Sequence, residues 1–296
     1  MFPAWHPVEV KEWDSDETEE QLGTKEKYWV RDPAGTSWLF KYARLRDGVV
    51  RGEDWAEWVA HQLGELIGVP TVEVRPALHG DKRGIVSRSL VPSGCRLEHG
   101  NELLRRVDPD YDPELSRPNP RYTPEAVRRC LNDVLPPERH DDLSRFTAFD
   151  VWCGYLLLDA WIGGRDRHHE NWAAVTGGTE RWLYLSYDHG NCLGFQEKDS
   201  KRRSCVEHPD QLMTWVRKGR SHHFAGQPTL VEIARGALAL AEPEARCYWL
   251  ERLAAVKRIE LEALVQRVPA SIMSDPARSF CVELLTVNRR RVLDGD

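Results

Sequence analysis

Residues 163–172 read GGRDRHHENW, and residues 184–191, after a short apolar run, read YLSYDHGN. In this pair of stretches Asp166 and Asn171 stand five residues apart, and Asp188 opens an Asp-His-Gly turn sixteen residues past Trp172. A carboxylate, an amide and a second carboxylate in that order are hard oxygen groups that can orient a hydroxyl and hold a hard cation. Each member alone is common in surface loops. Their specificity comes from what surrounds them.

Upstream, KYWV at 27–30 and SWLFKYA at 37–43 flank Asp32-Pro33-Ala34-Gly35, a turn composition between two β-rich runs, which predicts a hairpin with Lys41 on its second strand. A helix is expected from Glu53 to Leu66, with Trp55, Val59, Gln62 and Leu66 on one face and Gly68 and Pro70 as stop signals. Two more strands fit Thr71 to Arg75 and Gly84 to Leu90, around a turn at His79-Gly80-Asp81. The stretch from residue 106 to Pro124 holds five prolines and reads as a connecting loop. Beyond it helices dominate. Pro124 to Leu135 suits one, with proline in its first turn. Residues 141–162 carry Leu143, Phe146, Phe149, Cys153, Leu156 and Ala160 at steps of three and four. Trp172 to Val175 and Trp182 to Ser186 look β-like. A single helix is expected from Glu244 to Val268, with Leu250, Leu253, Leu261, Leu264 and Val268 on one face, and another from Asp275 to Leu293. The class is therefore α+β: a small β-rich lobe with one helix over residues 1–105 and a larger helical lobe over 106–296.

Composition narrows the function. A chain of 296 residues can bury a large core. Its net charge of −6, with both signs interspersed, disfavours sequence-independent nucleic-acid binding. The most apolar segment, near Val151 to Ile162, is interrupted by Asp150 and Asp159 and is too short to span a bilayer. No N-terminal run resembles a signal peptide. The seven cysteines (95, 130, 153, 192, 205, 247 and 281) lack metal-ligand spacing and read as reduced thiols. A soluble, cytoplasmic protein without direct nucleic-acid or membrane contacts is expected.

Phosphoryl transfer uses all these parts. It needs a carboxylate to orient the attacking hydroxyl, oxygen ligands for Mg²⁺, and a lysine on the nucleotide phosphates, itself fixed by a glutamate. Asp166 suits the first role, Asn171 and Asp188 the second, and Lys41 the third. Glu57 on the following helix is the partner chosen for Lys41, with Glu53 one turn earlier as the alternative. Gly23-Thr24-Lys25-Glu26-Lys27 is the candidate phosphate-covering loop, with one glycine where such loops usually have more. His168 is counted with the nucleotide-binding residues and expected to brace the catalytic loop. His189 is expected to pack beside Asp188. Lys201-Arg202-Arg203 and Arg289-Arg290-Arg291 read as solvated faces, the first lying where an acceptor is admitted.

The catalytic stretch, its DHG turn, and WLFKYAR followed by GEDWAEWVAHQLGELIGVP resemble the HipA-like serine/threonine kinases, whose catalytic loop has the form Asn/Gly-x-Asp-Arg-His-x-x-Asn. The resemblance runs from about Leu22 to Leu293, and Gly164 stands where many members have Asn. It implies a two-lobed protein-kinase-like fold, ATP with Mg²⁺, Asp166 as catalytic base, Asn171 and Asp188 as metal ligands and Lys41 on the phosphates. It places Ser87, Arg88, Ser89 and Leu90 at the hinge that bonds adenine through its backbone, and marks Thr24 as a hydroxyl open to autophosphorylation. It also implies a short, kinase-core-only member acting on protein Ser/Thr, in a toxin–antitoxin setting with a DNA-binding antitoxin partner. The phosphoryl group and not the acceptor sets the Asp-to-Asn spacing, so a small-molecule phosphotransferase acting on an antibiotic, metabolite or lipid headgroup stays open. A catalytically dead binding module is disfavoured by Lys41, Asp166, Asn171 and Asp188 occurring together.

Overall fold

A computed structural model describes residues 2–19, 27–46, 48–115, 117–138, 140–177 and 180–295. The alternating runs of the first lobe form strands β1 (Val8–Glu9), β2 (Asp14–Glu19), β3 (Lys27–Arg31), β4 (Ser37–Tyr42), β5 (Leu45–Arg46), β6 (Val49–Val50), β7 (Val74–His79) and β8 (Lys82–Arg88). Six of them make one sheet in the order β1-β7-β8-β4-β3-β2, and β5 and β6 pair separately. The β3–β4 turn closes as its composition requires. Asp32 Oδ1 accepts from the backbone of Ala34 and Thr36 at 3.0 and 2.9 Å, and Gly35 takes a left-handed φ of 79°.

Side chains alternate across the pleat. Trp38 and Phe40 are buried on the outer face with Val30, Ala77 and Val86. Leu39 and Lys41 therefore emerge on the inner face. Helix α1 (Glu53–Ile67) packs against β7 and β8 and stops at Gly68, left-handed at φ 76°.

The second lobe holds α2 (Gly100–Val107), α3 (Pro124–Cys130), α4 (Ala148–Ile162), α5 (Asp199–Glu207), α6 (Pro209–Arg217), α7 (Leu230–Leu240), α8 (Pro243–Ala255), α9 (Arg258–Val265) and α10 (Asp275–Asp294). A small sheet of β9 (Arg96–His99), β10 (Ala173–Gly177) and β11 (Glu180–Leu183), in the order β11-β10-β9, lies with them. Every residue of α4 is buried, so it forms the axis of this lobe, with α7 and α10 against it. The α+β, two-lobed, kinase-like class expected from the sequence is the class observed.

Element ends differ where periodicity says nothing about them. The helix expected over 141–162 begins at Ala148, because Thr147 and Asp150 form a reciprocal capping box, and only a 3-10 turn occupies Asp141–Leu143. The helix expected over 124–135 ends at Cys130. The single helix expected over 244–268 is two, broken at Val256, whose ψ of 128° is extended. Arg289 of α10 donates to the carbonyls of Leu253 and Ala254, satisfying the end of α8.

Candidate active site

Between the lobes lies a cleft of about 550 Å³, lined by Lys41, Ser87, Arg88, Ser89, Asp166, His168, Asn171 and Asp188 together with others. Residues far apart in sequence are brought together there.

On its upper wall Lys41 is only 8% exposed. Its Nζ lies 3.0 Å from Asp188 Oδ1 and 3.7 Å from Glu57 Oε1. Burial pushes the ammonium's pKa down, but the carboxylates of Asp188 and Glu57 outweigh it and hold the group above its usual value. Glu53 is paired elsewhere, at 3.9 Å from Arg44 Nε. The Asp-His-Gly turn packs directly beneath α1. A Cβ at Gly190 would lie 2.9 Å from Glu53 Cγ and 3.1 Å from Glu57 Oε2, so any side chain there pushes both glutamates out of place. Asp188 itself has φ 60°, a left-handed conformation that aspartate tolerates better than bulkier residues.

The catalytic loop forms the lower wall. Asp166 Oδ1 is 3.2 Å from His223 Nε2 and 3.9 Å from Arg117 Nη2. The His223 hydrogen bond, opposed by burial and helped by His168, holds the Asp166 carboxyl below the usual range. Asn171 spends its Nδ2 donor on the carbonyl of Asp166, which leaves Oδ1 as its free acceptor.

One guanidinium ties these pieces together. Arg167 donates to both carboxylate oxygens of Asp159 on α4 at 2.7 and 2.9 Å, to the Asn171 carbonyl at 2.6 Å and to Ser186 Oγ at 3.0 Å. Burial pushes Asp159 up, yet Arg167 and His189 hold it below its usual value. His189 fits between Ser186 Oγ at 3.0 Å and Asp159 at 3.6 Å.

The neighbouring histidines divide their work. His169 is buried, with Nδ1 2.6 Å from the Tyr111 hydroxyl, and burial pulls its pKa down to about 4. His168 lines the cleft; its Nδ1 accepts from Glu170 N at 3.2 Å, so the neutral ring carries its proton on Nε2. Burial pulls His168 to about 4 as well, against the attraction of Asp166. Bracing of the loop thus falls to Arg167 and His169 as well as to His168.

At the expected hinge, three successive N–H groups have protein partners. Arg88 donates to Glu73 O at 2.9 Å, Ser89 to Ser37 O at 2.9 Å and Leu90 to the Tyr184 hydroxyl at 3.1 Å. Ser87, Arg88 and Ser89 line the cleft, whereas Leu90 does not. Gly23, Thr24 and Lys25 lie outside the described residues. Glu57 stands behind Lys41 and not on the main wall.

Sequence reasoning missed Arg117, His223, Tyr184, Tyr187 and His99. Tyr187 donates to Glu170 O at 2.7 Å, and His99 Nδ1 lies 3.0 Å from the Tyr187 hydroxyl. Tyr187 adjoins Asp188 and was within reach of a motif reading. Arg117 and His223 arrive on loops that carry no periodic signal. The two basic runs are not plain solvated faces. Arg202 is buried, donating to Gly194 O and Phe195 O at 3.1 and 2.9 Å, and Arg291 is buried beside Asn288.

No family model matches this chain, and no curated protein matches it in sequence. Solved structures do match its fold. The proinflammatory kinase CtkA of Helicobacter pylori superposes with a TM-score of 0.75 at 13% identity, over 99% of this chain and 96% of that one. HipA of the Shewanella oneidensis toxin–antitoxin system, solved with HipB and operator DNA, gives a TM-score of 0.58 at 11% identity, over 95% of this chain and 68% of that one. Over nearly its whole length the chain has the HipA-like kinase fold that its catalytic stretch led us to expect.

Proposed function

We propose that this chain is an ATP- and Mg²⁺-dependent kinase that transfers the γ-phosphoryl group to a hydroxyl on a protein. The observation that carries the reading is the convergence of Lys41, Asp166, Asn171 and Asp188 on one cleft, with Glu57 behind the lysine.

Each side chain has work in that reaction. Lys41, kept charged by its carboxylates, holds the α- and β-phosphates, and Glu57 fixes its direction. Asp166, kept ionised, accepts a hydrogen bond from the attacking hydroxyl and aligns it. Asn171 Oδ1 and the Asp188 carboxylate fit Mg²⁺ as hard oxygen donors. Among the described residues no three His, Cys, Asp or Glu side chains cluster as a self-sufficient metal site, so the remaining ligands in this reading are phosphate oxygens and water. Bound there, the ion supplies neutralisation of phosphate charge. In this reading Ser87, Arg88 and Ser89 on the cleft wall and His168 border the nucleotide, and its phosphates are assigned to the segment of Gly23, Thr24 and Lys25.

In this reading residues 1–105 bind nucleotide and 106–296 carry catalysis, except that β9 and α2, which precede the boundary, pack with the second lobe through β10 and α3. A DNA-binding partner, as HipB is for HipA, and a cytoplasmic setting belong to the same proposal. Among the described residues no helix is long and apolar enough to cross a membrane. The test is incubation of the purified chain with γ-labelled ATP, Mg²⁺ and cell lysate, beside an Asp166→Ala control. A labelled protein band, absent in the control, is expected. Label found only in small molecules would replace the protein acceptor with a small one.

A further inference from the structure

The lip of the cleft beside Asp166 is cationic. Arg117, with its side chain 65% exposed, overhangs the Asp166 carboxylate. Arg165, one residue before Asp166, lies 5.2 Å over the Trp215 ring, with Glu197 as its acidic neighbour. The loop after α6 adds exposed Lys218 and Arg220, then His222, and ends at His223 on Asp166 itself.

The charged groups bearing on His222 are Arg165, Arg117, His223 and Arg220, all of them basic, and after burial they are what pushes its pKa down. Around His222 these cations outnumber the nearby carboxylates, Asp166 under Arg117 and Glu197 beside Arg165, and an added anion relieves their mutual repulsion. The chain as a whole carries −6, so this is a local concentration against the general trend. Arg220 is also aimed: one guanidinium nitrogen donates to Gln227 O at 3.0 Å, which fixes its base and leaves its other donors.

Resting on the phosphotransferase reading, we propose that the acceptor hydroxyl is a Ser or Thr within an acidic peptide segment, whose carboxylates lie on Arg117, Arg165 and Arg220. A peptide is favoured over a single-stranded nucleic acid because, among the described residues, no large aromatic side chain is fully exposed for bases to stack on. Among the described residues the large exposed apolar side chains are all aliphatic, and Trp215 is covered by Arg165 on one side and meets Phe280 at 5.2 Å. The 201–203 run is a poorer docking surface, because buried Arg202 is spent on the backbone of 194–195.

The test uses Ser peptides of one length flanked by Glu, by Ala or by Lys, an oligouridylate competitor, and a Lys218→Gln/Arg220→Gln double variant outside the catalytic machinery. Labelling and direct binding by fluorescence anisotropy are both read. The Glu peptide should be labelled with kcat/KM about 10-fold or more above the Ala peptide at low salt. The advantage should shrink at high salt and in the double variant, while ATP hydrolysis without peptide stays unchanged. ATP turnover with no preference for the Glu peptide, or with the oligouridylate bound and the Glu peptide ignored, overturns the acidic-acceptor proposal. Binding of the Glu peptide without any ATP turnover overturns the kinase reading and leaves the cationic docking surface standing.

Discussion

Lys41 sits between Asp188 at 3.0 Å and Glu57 at 3.7 Å, and Glu53 is drawn toward Arg44. Lys41→Met should therefore lower turnover by ~100-fold or more, Glu57→Gln by less, and Glu53→Gln least, since a misplacement of about 1 Å costs on that order. Steady-state phosphorylation rates rank the three; a larger loss in Glu53→Gln than in Glu57→Gln would reverse the assignment. Arg167 is the residue whose loss should hurt the fold. Arg167→Met leaves the Asp159 carboxylate buried and without its guanidinium, at a cost of ~3–5 kcal/mol, read as a lower urea midpoint. Arg167→Lys should rescue little, because an ammonium cannot span Asp159, Asn171 O and Ser186 in one plane. Asp166, Asn171, Asp188 and Lys41 were legible because short-range spacing and strand placement fix them. His223 and Arg117 were not, since only the tertiary fold carries their loops to Asp166.

Helix α4 shows how an element start is written in sequence. Thr147 Oγ1 accepts from Asp150 N at 3.1 Å, and the Asp150 carboxylate accepts from Thr147 N at 3.0 Å. Thr147→Ala should cost ~1 kcal/mol of stability, measured by thermal or denaturant unfolding, with little effect on the chemistry. The same box explains why a periodic pattern from residue 141 overshot: apolar steps of three and four continue past a helix end whenever the flanking turn faces the same core. Helices α8 and α9 repeat the lesson. Leu250, Leu253, Leu261 and Leu264 keep one phase across Val256, and the clue to the break was Glu260, whose carboxylate accepts from Lys257 N at 2.8 Å. Strand β9, four residues reading RLEH, has no apolar alternation and exists because β10 offers it an edge.

For the whole molecule, acid is the weak direction. His61 lies on α1 with Nδ1 2.7 Å from Thr71 Oγ1, and burial pulls its pKa down to about 4, against Glu73 and with His189. Its folded pKa lies below the unfolded value of about 6.5, so the unfolded state binds more protons as pH falls. The stability it contributes is fully present above about 6.5 and is lost as pH drops toward about 4. Asp159, also depressed, acts in the same sense at lower pH. The melting temperature should fall by roughly 5 °C or more between pH 7 and pH 4.5. His61→Asn, which keeps a partner for Thr71 without a titrating ring, should flatten that slope in a calorimetric pH series. An unchanged slope in the variant would assign the acid lability to other groups.

The occupied backbone at Arg88, Ser89 and Leu90 has a consequence for ligand design. A heterocycle that depends on accepting a hydrogen bond from this strand finds its N–H groups already given to Glu73 O, Ser37 O and the Tyr184 hydroxyl. To gain the third of these it must unseat a phenol whose own pKa is raised by burial. Inhibitor scaffolds built around an acceptor nitrogen at that position should thus lose potency here and recover it in Tyr184→Phe, whereas scaffolds that offer only donor edges to the neighbouring carbonyls should not distinguish the two proteins.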